Sequence, residues 1–63
     1  MKYAEEIQKV NGLVSQARHM LEEVTCAMME DSFCDEEKLF ELEERIGELD
    51  HVEYQLESIA PTN

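Results

Sequence analysis

The sequence predicts a mainly α fold, a helical hairpin of two helices that forms a homodimer with a second copy of the chain. Three observations predict it. Apolar residues recur at alternating spacings of three and four through residues 3–28, a polar break follows at residues 30–35, and a second run of similar spacing ends just before Pro61. Such spacing is typical of α-helices that cover one another along an apolar stripe. The whole of residues 1–63 is therefore expected to be one helical dimerisation domain.

The first helix is predicted over about residues 3–30, because an unbroken heptad stripe runs through it. Asn11-Gly12 is normally a turn signal, but it does not interrupt the stripe, and an exposed Gly in a helix costs only about 1 kcal/mol relative to Ala. A further apolar row of Leu13, Met20 and Ala27 makes the face wider than a two-stranded coiled coil requires, which favours a bundle. The stripe consists of Tyr3, Ile7, Val10, Val14, Ala17, Leu21, Val24 and Met28.

A link is predicted at residues 31–34, with two alternatives for the start of the next helix. Ser32 and Asp35 have the spacing of a capping box, and Asp35 alone is the other candidate N-cap. Phe33 is expected to pack as a hydrophobic staple or to lie in a short extended segment. The run Val24-Thr25-Cys26 tolerates β structure, so a short strand near the link stays open as an alternative.

The second helix is predicted over about residues 35–59, and Pro61 ends it. One spacing in its apolar run is three where four is due, which is typical of a stammer that overwinds a coiled coil locally. Glu41 and Arg45 have the i, i+4 spacing of a helix-stabilising ion pair. The residues of the predicted core are Leu39, Leu42, Ile46, Leu49, Val52 and Leu56, with Ile59 continuing the run.

The charge of the chain argues against several kinds of partner. The net charge is −11, and residues 31–63 hold eleven acids and two bases, against five acids and three bases in residues 1–30. Nucleic acids and anionic membranes repel such a surface, so the expected partners are proteins that are basic or offer an apolar helix. No apolar run is long enough for a signal peptide or a membrane span, so the chain is expected to be cytoplasmic, with Cys26 and Cys34 reduced.

Enzymatic chemistry and metal binding are not expected. The two cysteines are eight residues apart and the two histidines are isolated, whereas structural zinc sites use closely spaced pairs of ligands. The serines are scattered, and nucleophilic catalysis needs a nucleophile, a base and an orienting group in one enclosed pocket. The sequence therefore predicts a protein without cofactors, and it leaves the roles of Cys26 and Cys34 open.

Two surfaces are candidates for binding another protein. Methionines beside aromatic residues at the rim of a bundle are typical of a cleft that takes an amphipathic helix, although core filling is the plainer explanation. The candidate cleft residues are Met20, Met29, Phe33 and Phe40. The alternative is a row of carboxylates that imitates DNA and sequesters a basic DNA-binding protein, for which solubility is the plainer explanation. This acidic face is formed by Glu37, Glu41, Glu44 and Glu48.

The whole chain resembles a family of small early proteins of lambdoid temperate bacteriophages, encoded between the exonuclease and excisionase genes. The resemblance rests on the length of 63 residues, the start Met-Lys-Tyr-Ala-Glu-Glu-Ile, the acidic helical composition and the break Glu-Asp-Ser-Phe-Cys-Asp. It implies an intertwined homodimer with two helices and a short strand in each chain, whose elements nearly all make intermolecular contacts. It also implies a regulatory role that favours lytic development through a host or phage protein in the bacterial cytoplasm.

Overall fold

The protein is an antiparallel helical hairpin. A computed structural model describes residues 2–61, in which α1 spans Ala4–Glu30 and α2 spans Glu36–Ile59. Helix α1 continues through Asn11-Gly12 without interruption, and no strand occurs within residues 2–61. Polar contacts between distant parts of the chain set the antiparallel register. Gln8 Nε2 donates to the carbonyl oxygen of Pro61 at 2.8 Å, and Arg18 pairs with Glu53.

Among the residues that the structure describes, Asp35 alone caps the start of α2. Its Oδ1 accepts hydrogen bonds from the backbone N–H groups of Glu37 at 3.0 Å and Lys38 at 3.3 Å. These are donors that the first turn of a helix leaves without a partner, so the cap stabilises the helix end directly. In the link, Asp31 Oδ1 accepts from the backbone N–H of Phe33 at 2.9 Å, and the Phe33 residue is 93% exposed. Phe33 is therefore not a hydrophobic staple.

Helix α1 faces α2 through a row that only partly follows the predicted stripe. Ile7, Val14, Leu21 and Met28 belong to the less exposed side of α1. The other four stripe residues, Tyr3, Val10, Ala17 and Val24, are exposed and lie outside the hairpin interface. One neighbouring helix covers about two rows of side chains, and the second row that α1 turns inward is polar except for Ala4. That second row consists of Ala4, Asn11, Arg18 and Thr25.

Helix α2 keeps an unbroken heptad register, so the predicted stammer is wrong. Glu53 takes the inward position that was assigned to Val52, because its carboxylate pairs with Arg18 across the hairpin. Val52 and Ile59 are 36% and 56% exposed. The less exposed positions that continue the register are Leu39, Leu42, Ile46, Leu49, Glu53, Leu56 and Ala60.

The hairpin has almost no interior of its own. Within residues 2–61 only Thr25 and Ala60 are buried, at 4% and 3% exposure. The accessible surface is 5046 Å², whereas a compact monomer of this mass has about 4,200 Å². The radius of gyration is 14.5 Å, against about 10.6 Å for a compact chain of this length. A single hairpin thus leaves about 800 Å² more surface in water than a compact monomer would.

The cap assignment gives the first prediction. Asp35→Ala removes both side-chain hydrogen bonds at the start of α2 and is expected to lower the free energy of unfolding by about 1 kcal/mol. Ser32→Ala is the matched control in the same link, since within residues 2–61 the Ser32 side chain makes no hydrogen bond. Urea unfolding monitored by circular dichroism measures the free energy of unfolding of wild type and of each variant. Equal losses for the two variants would contradict Asp35 as the sole cap.

Candidate protein interaction surface

A charged cluster lies inside the helix–helix interface. Arg18 donates to both carboxylate oxygens of Glu53, from Nε to Oε2 and from Nη2 to Oε1 at 3.4 Å. Its Nη1 donates to Glu22 at 2.6 Å, and Asp50 lies 3.9 Å from its Nε. The Arg18 and Glu53 side chains are only 19% and 16% exposed. Because the ion pair is bidentate and largely buried, it fixes both the register and the rotation of the two helices.

The ionisation of this cluster follows from the same contacts. The hydrogen bonds from Arg18 hold the pKa of the Glu53 carboxyl below its usual value, against the opposing effect of burial. The hydrogen bonds to Glu53 and then to Glu22 raise the pKa of the Arg18 guanidinium above its usual value. Both groups are therefore charged at neutral pH. The hairpin interface contains a permanent ion pair where the predicted core had only apolar residues.

The Arg18 cluster also identifies the two sides of the hairpin. Glu22 of α1 and Asp50 of α2 both reach Arg18, so they lie on the same side of the interface. Helical spacing places a row of carboxylates on that side, which we call the acidic side. It consists of Glu22 of α1 with Glu36, Glu43, Asp50 and Glu57 of α2.

The opposite side is apolar and exposed. Two neighbouring rows of α1 point there, and the antiparallel register places Val52 level with Ala17 and Ile59 level with Val10. The exposed fractions include 50% for Val10, 65% for Leu13 and 59% for Met20. Exposed apolar rows at this spacing normally mark a contact with another helix. We call this surface the outer apolar face. It consists of Tyr3, Val10, Leu13, Ala17, Met20, Val24 and Ala27 with Val52 and Ile59.

The four predicted cleft residues separate into two groups. Met29, Phe33 and Phe40 lie in the last turn of α1, the link and the second turn of α2, and their exposed fractions are 60%, 93% and 63%. We call these three residues the link patch. Met20 belongs instead to the outer apolar face, and so it does not line a shared cleft with them. The sequence located the apolar residues of the link, but it could not show that Met20 points to another side.

The predicted acidic face of α2 is exposed but partly neutralised by neighbours. Lys38 lies 3.5 Å from Glu41, and Arg45 lies 3.3 Å from Glu44 and 2.8 Å from Glu48. The predicted Glu41–Arg45 pair is therefore wrong, because Arg45 turns toward Glu48 instead. Lys38, Glu41, Leu42, Glu44 and Arg45 line a surface depression of about 580 Å³. Of the four predicted carboxylates only Glu37 makes no ion pair within residues 2–61, which weakens the likeness to a DNA backbone.

Other kinds of site would need reactive cysteines, a cluster of metal ligands or a membrane-spanning helix. Cys26 is exposed and Cys34 half-buried, and both are free thiols. No group of three or more metal-ligating side chains comes together in residues 2–61. Across that same range, neither helix combines the length and the apolar character that crossing a membrane demands.

Comparison with protein-family models, with curated proteins and with solved structures found no match for this chain.

Sequence reasoning missed Arg18 and Glu53, which carry the main polar contact of the hairpin. The only signal was position. Arg18 lies four residues after Val14 and three before Leu21, so it holds a place at which an interface residue is due. A charged residue there is normally assigned to solvent, and only a partner at the same level of the second helix reverses that assignment.

The second prediction concerns the pH dependence of the Arg18–Glu53 pair. The pKa of Glu53 is lowered on folding, so the stabilisation is complete above the unfolded-state value of about 4.3 and is lost as the pH falls through the folded-state pKa. Wild type is therefore expected to exceed Glu53→Gln in free energy of unfolding by a constant amount above about pH 5. That difference should shrink at lower pH.

Urea unfolding from pH 7 to pH 3, at one fixed protein concentration, measures the difference. Glu43→Gln is the matched control, because it makes the same change of charge on an exposed residue of α2 that makes no ion pair within residues 2–61. Its difference from wild type should stay small at every pH. A Glu53→Gln difference that is independent of pH would show that the carboxylate charge does not stabilise the hairpin.

Proposed function

We propose that the chain is a non-enzymatic regulator that self-associates through the outer apolar face and binds a target protein through the link patch. The observation that carries the first part is the exposed apolar surface on one side of the hairpin. The excess surface of about 800 Å² relative to a compact monomer equals what one partner buries in a standard protein interface. A homodimer that covers this face would give each hairpin the interior that it lacks alone.

The link patch supports the second part of the proposal. Met29, Phe33 and Phe40 are exposed at one end of the hairpin, away from most of the outer apolar face. Flexible methionine and aromatic side chains adapt to the apolar side of an amphipathic helix, and aromatic residues dominate the binding energy of many protein interfaces. The target is therefore expected to offer an apolar helix.

The resemblance to the small early proteins of lambdoid phages supports a biological setting for this activity. In that setting the homodimer acts in the cytoplasm of the bacterial host and favours lytic development by binding a host or phage regulator. The alternative, an acidic imitation of DNA, has less support. Lys38 and Arg45 already pair with Glu41, Glu44 and Glu48 of the acidic row.

The third prediction tests self-association. Sedimentation equilibrium with reductant should give about twice the chain mass of 7.4 kDa for wild type at tens of micromolar. Met20→Asp places a charge in the outer apolar face and is expected to raise the dissociation constant roughly a hundredfold, because a buried unpaired charge is costly. His51→Asp on the exposed side of α2 is the control and should leave the mass unchanged. A monomeric wild type, or a dimer indifferent to Met20→Asp, would contradict the proposal.

The fourth prediction tests the link patch. Affinity capture from a bacterial lysate, washed in parallel at low and high salt, is expected to retain a partner at high salt, since salt screens charges and not apolar burial. Phe33→Ala should lose that partner without loss of stability, because the side chain is almost fully exposed. Ser32→Ala is the control. A basic partner that binds Phe33→Ala normally and washes off at high salt would favour the DNA-mimic alternative.

A further inference from the structure

We infer that the second copy binds antiparallel, α1 against α1, with the two-fold axis passing between Gln16 and Ala17. The inference rests on the proposed self-association and adds the helix, the direction and the centre of the contact. Two independent patterns in α1 have centres that lie within half a residue of this axis. One is the order of apolar side chains on the outer apolar face, and the other is the order of charges along its edge.

Two pairs of apolar residues in α1 have their midpoints at this point or half a residue from it. In an antiparallel pairing centred there, Val10 meets Val24 of the second copy, and Leu13 meets Met20. Ala17, the smallest side chain of the row, falls next to the axis, where two helices that cross must approach most closely. Each large side chain thus meets another large one on either side of a small central residue, which is the shape that a self-complementary two-fold contact needs.

The charges beside this face are symmetric about Gln16, half a residue from the axis. A heptad row borders the outer apolar face on its solvent side, and it changes sign at its centre. Its members in order are Lys2, Lys9, Gln16, Glu23 and Glu30. An antiparallel pairing sets Lys9 opposite Glu23 and Lys2 opposite Glu30, with Gln16 opposite itself. Within residues 2–61 the side chains of Lys9, Glu23 and Glu30 form no ion pair, and Lys2 only lies over the Tyr3 ring at 5.6 Å.

Other arrangements of two copies lose this match. A parallel α1 pair would set Lys9 against Lys9 and Glu23 against Glu23, and like charges at an interface are unfavourable. A contact between two α2 helices would bring together the halves of the chain that each hold eleven acids and two bases. The row of α2 that corresponds to Leu13 and Met20 contains Glu41, Glu48 and Gln55, so it has no apolar side chains to offer.

Charge exchange at positions 9 and 23 tests the direction. Lys9→Glu turns two symmetry-related attractions into repulsions and is expected to raise the dissociation constant roughly tenfold, with a smaller effect at high salt. Glu23→Lys is expected to do the same. The double variant Lys9→Glu/Glu23→Lys restores both pairs with exchanged signs and should recover the wild-type constant within about threefold. Lys38→Glu makes the same change of net charge in α2 and is the control.

A second measurement tests the antiparallel direction of the two α1 helices even if a charge variant folds poorly. In a Cys26→Ser/Cys34→Ser background, a mixture of Lys9→Cys and Glu23→Cys chains should form a mixed disulfide under mild oxidation. Lys9→Cys alone should not, because the two copies of position 9 would be roughly 21 Å apart. Crosslinking of Lys9→Cys with itself, or single charge variants that bind like wild type, would overturn the antiparallel assignment while self-association stands. A monomeric wild type would overturn both the antiparallel assignment and the proposed self-association.

Discussion

The ion pair between Arg18 and Glu53 decides which side of α1 is covered. Both residues occupy interface positions in their helices, and the guanidinium reaches both oxygens of the carboxylate. To bring them together, α1 must turn the row of Asn11, Arg18 and Thr25 toward α2. The apolar row of Val10, Ala17 and Val24 is then left outside. A covered ion pair contributes less to stability than apolar packing of the same volume, so its effect here is mainly on orientation.

This orientation leaves apolar rows of α1 uncovered in the single hairpin. Asn11 also holds an inward position, and within residues 2–61 its Oδ1 is buried without a hydrogen-bond partner. The Thr25 hydroxyl is hydrogen-bonded within its own helix, because it donates to the carbonyl oxygen of Glu22 at 2.8 Å. Three polar side chains in one interface row reduce the apolar area that the two helices bury against each other. The remaining apolar rows face water in the single hairpin, and the proposed second chain would cover them.

Periodicity was sufficient to predict the two helices and the break between them, because spacing of three and four is a local property of the chain. It was not sufficient to choose among the apolar rows of α1. Three neighbouring heptad rows of α1 are apolar, and they begin at Ile7, Val10 and Leu13. A single partner helix covers only two of these rows. The choice depends on Glu53, which is 35 residues from Arg18 in the chain. The stammer was wrong for the same reason, since an apolar Val52 was preferred to an inward carboxylate.

The arrangement separates the two apolar surfaces to which the proposed function assigns different partners. The outer apolar face follows the length of α1, whereas the link patch is confined to the end of the hairpin. In the proposed antiparallel dimer the two links lie at opposite ends of the bundle, and α1 with its 27 residues sets their separation at on the order of 40 Å. A typical target helix of three to four turns spans less than half of that distance. Each link patch would therefore bind its target independently, and a bivalent target would gain affinity only if its two helices were spaced to match.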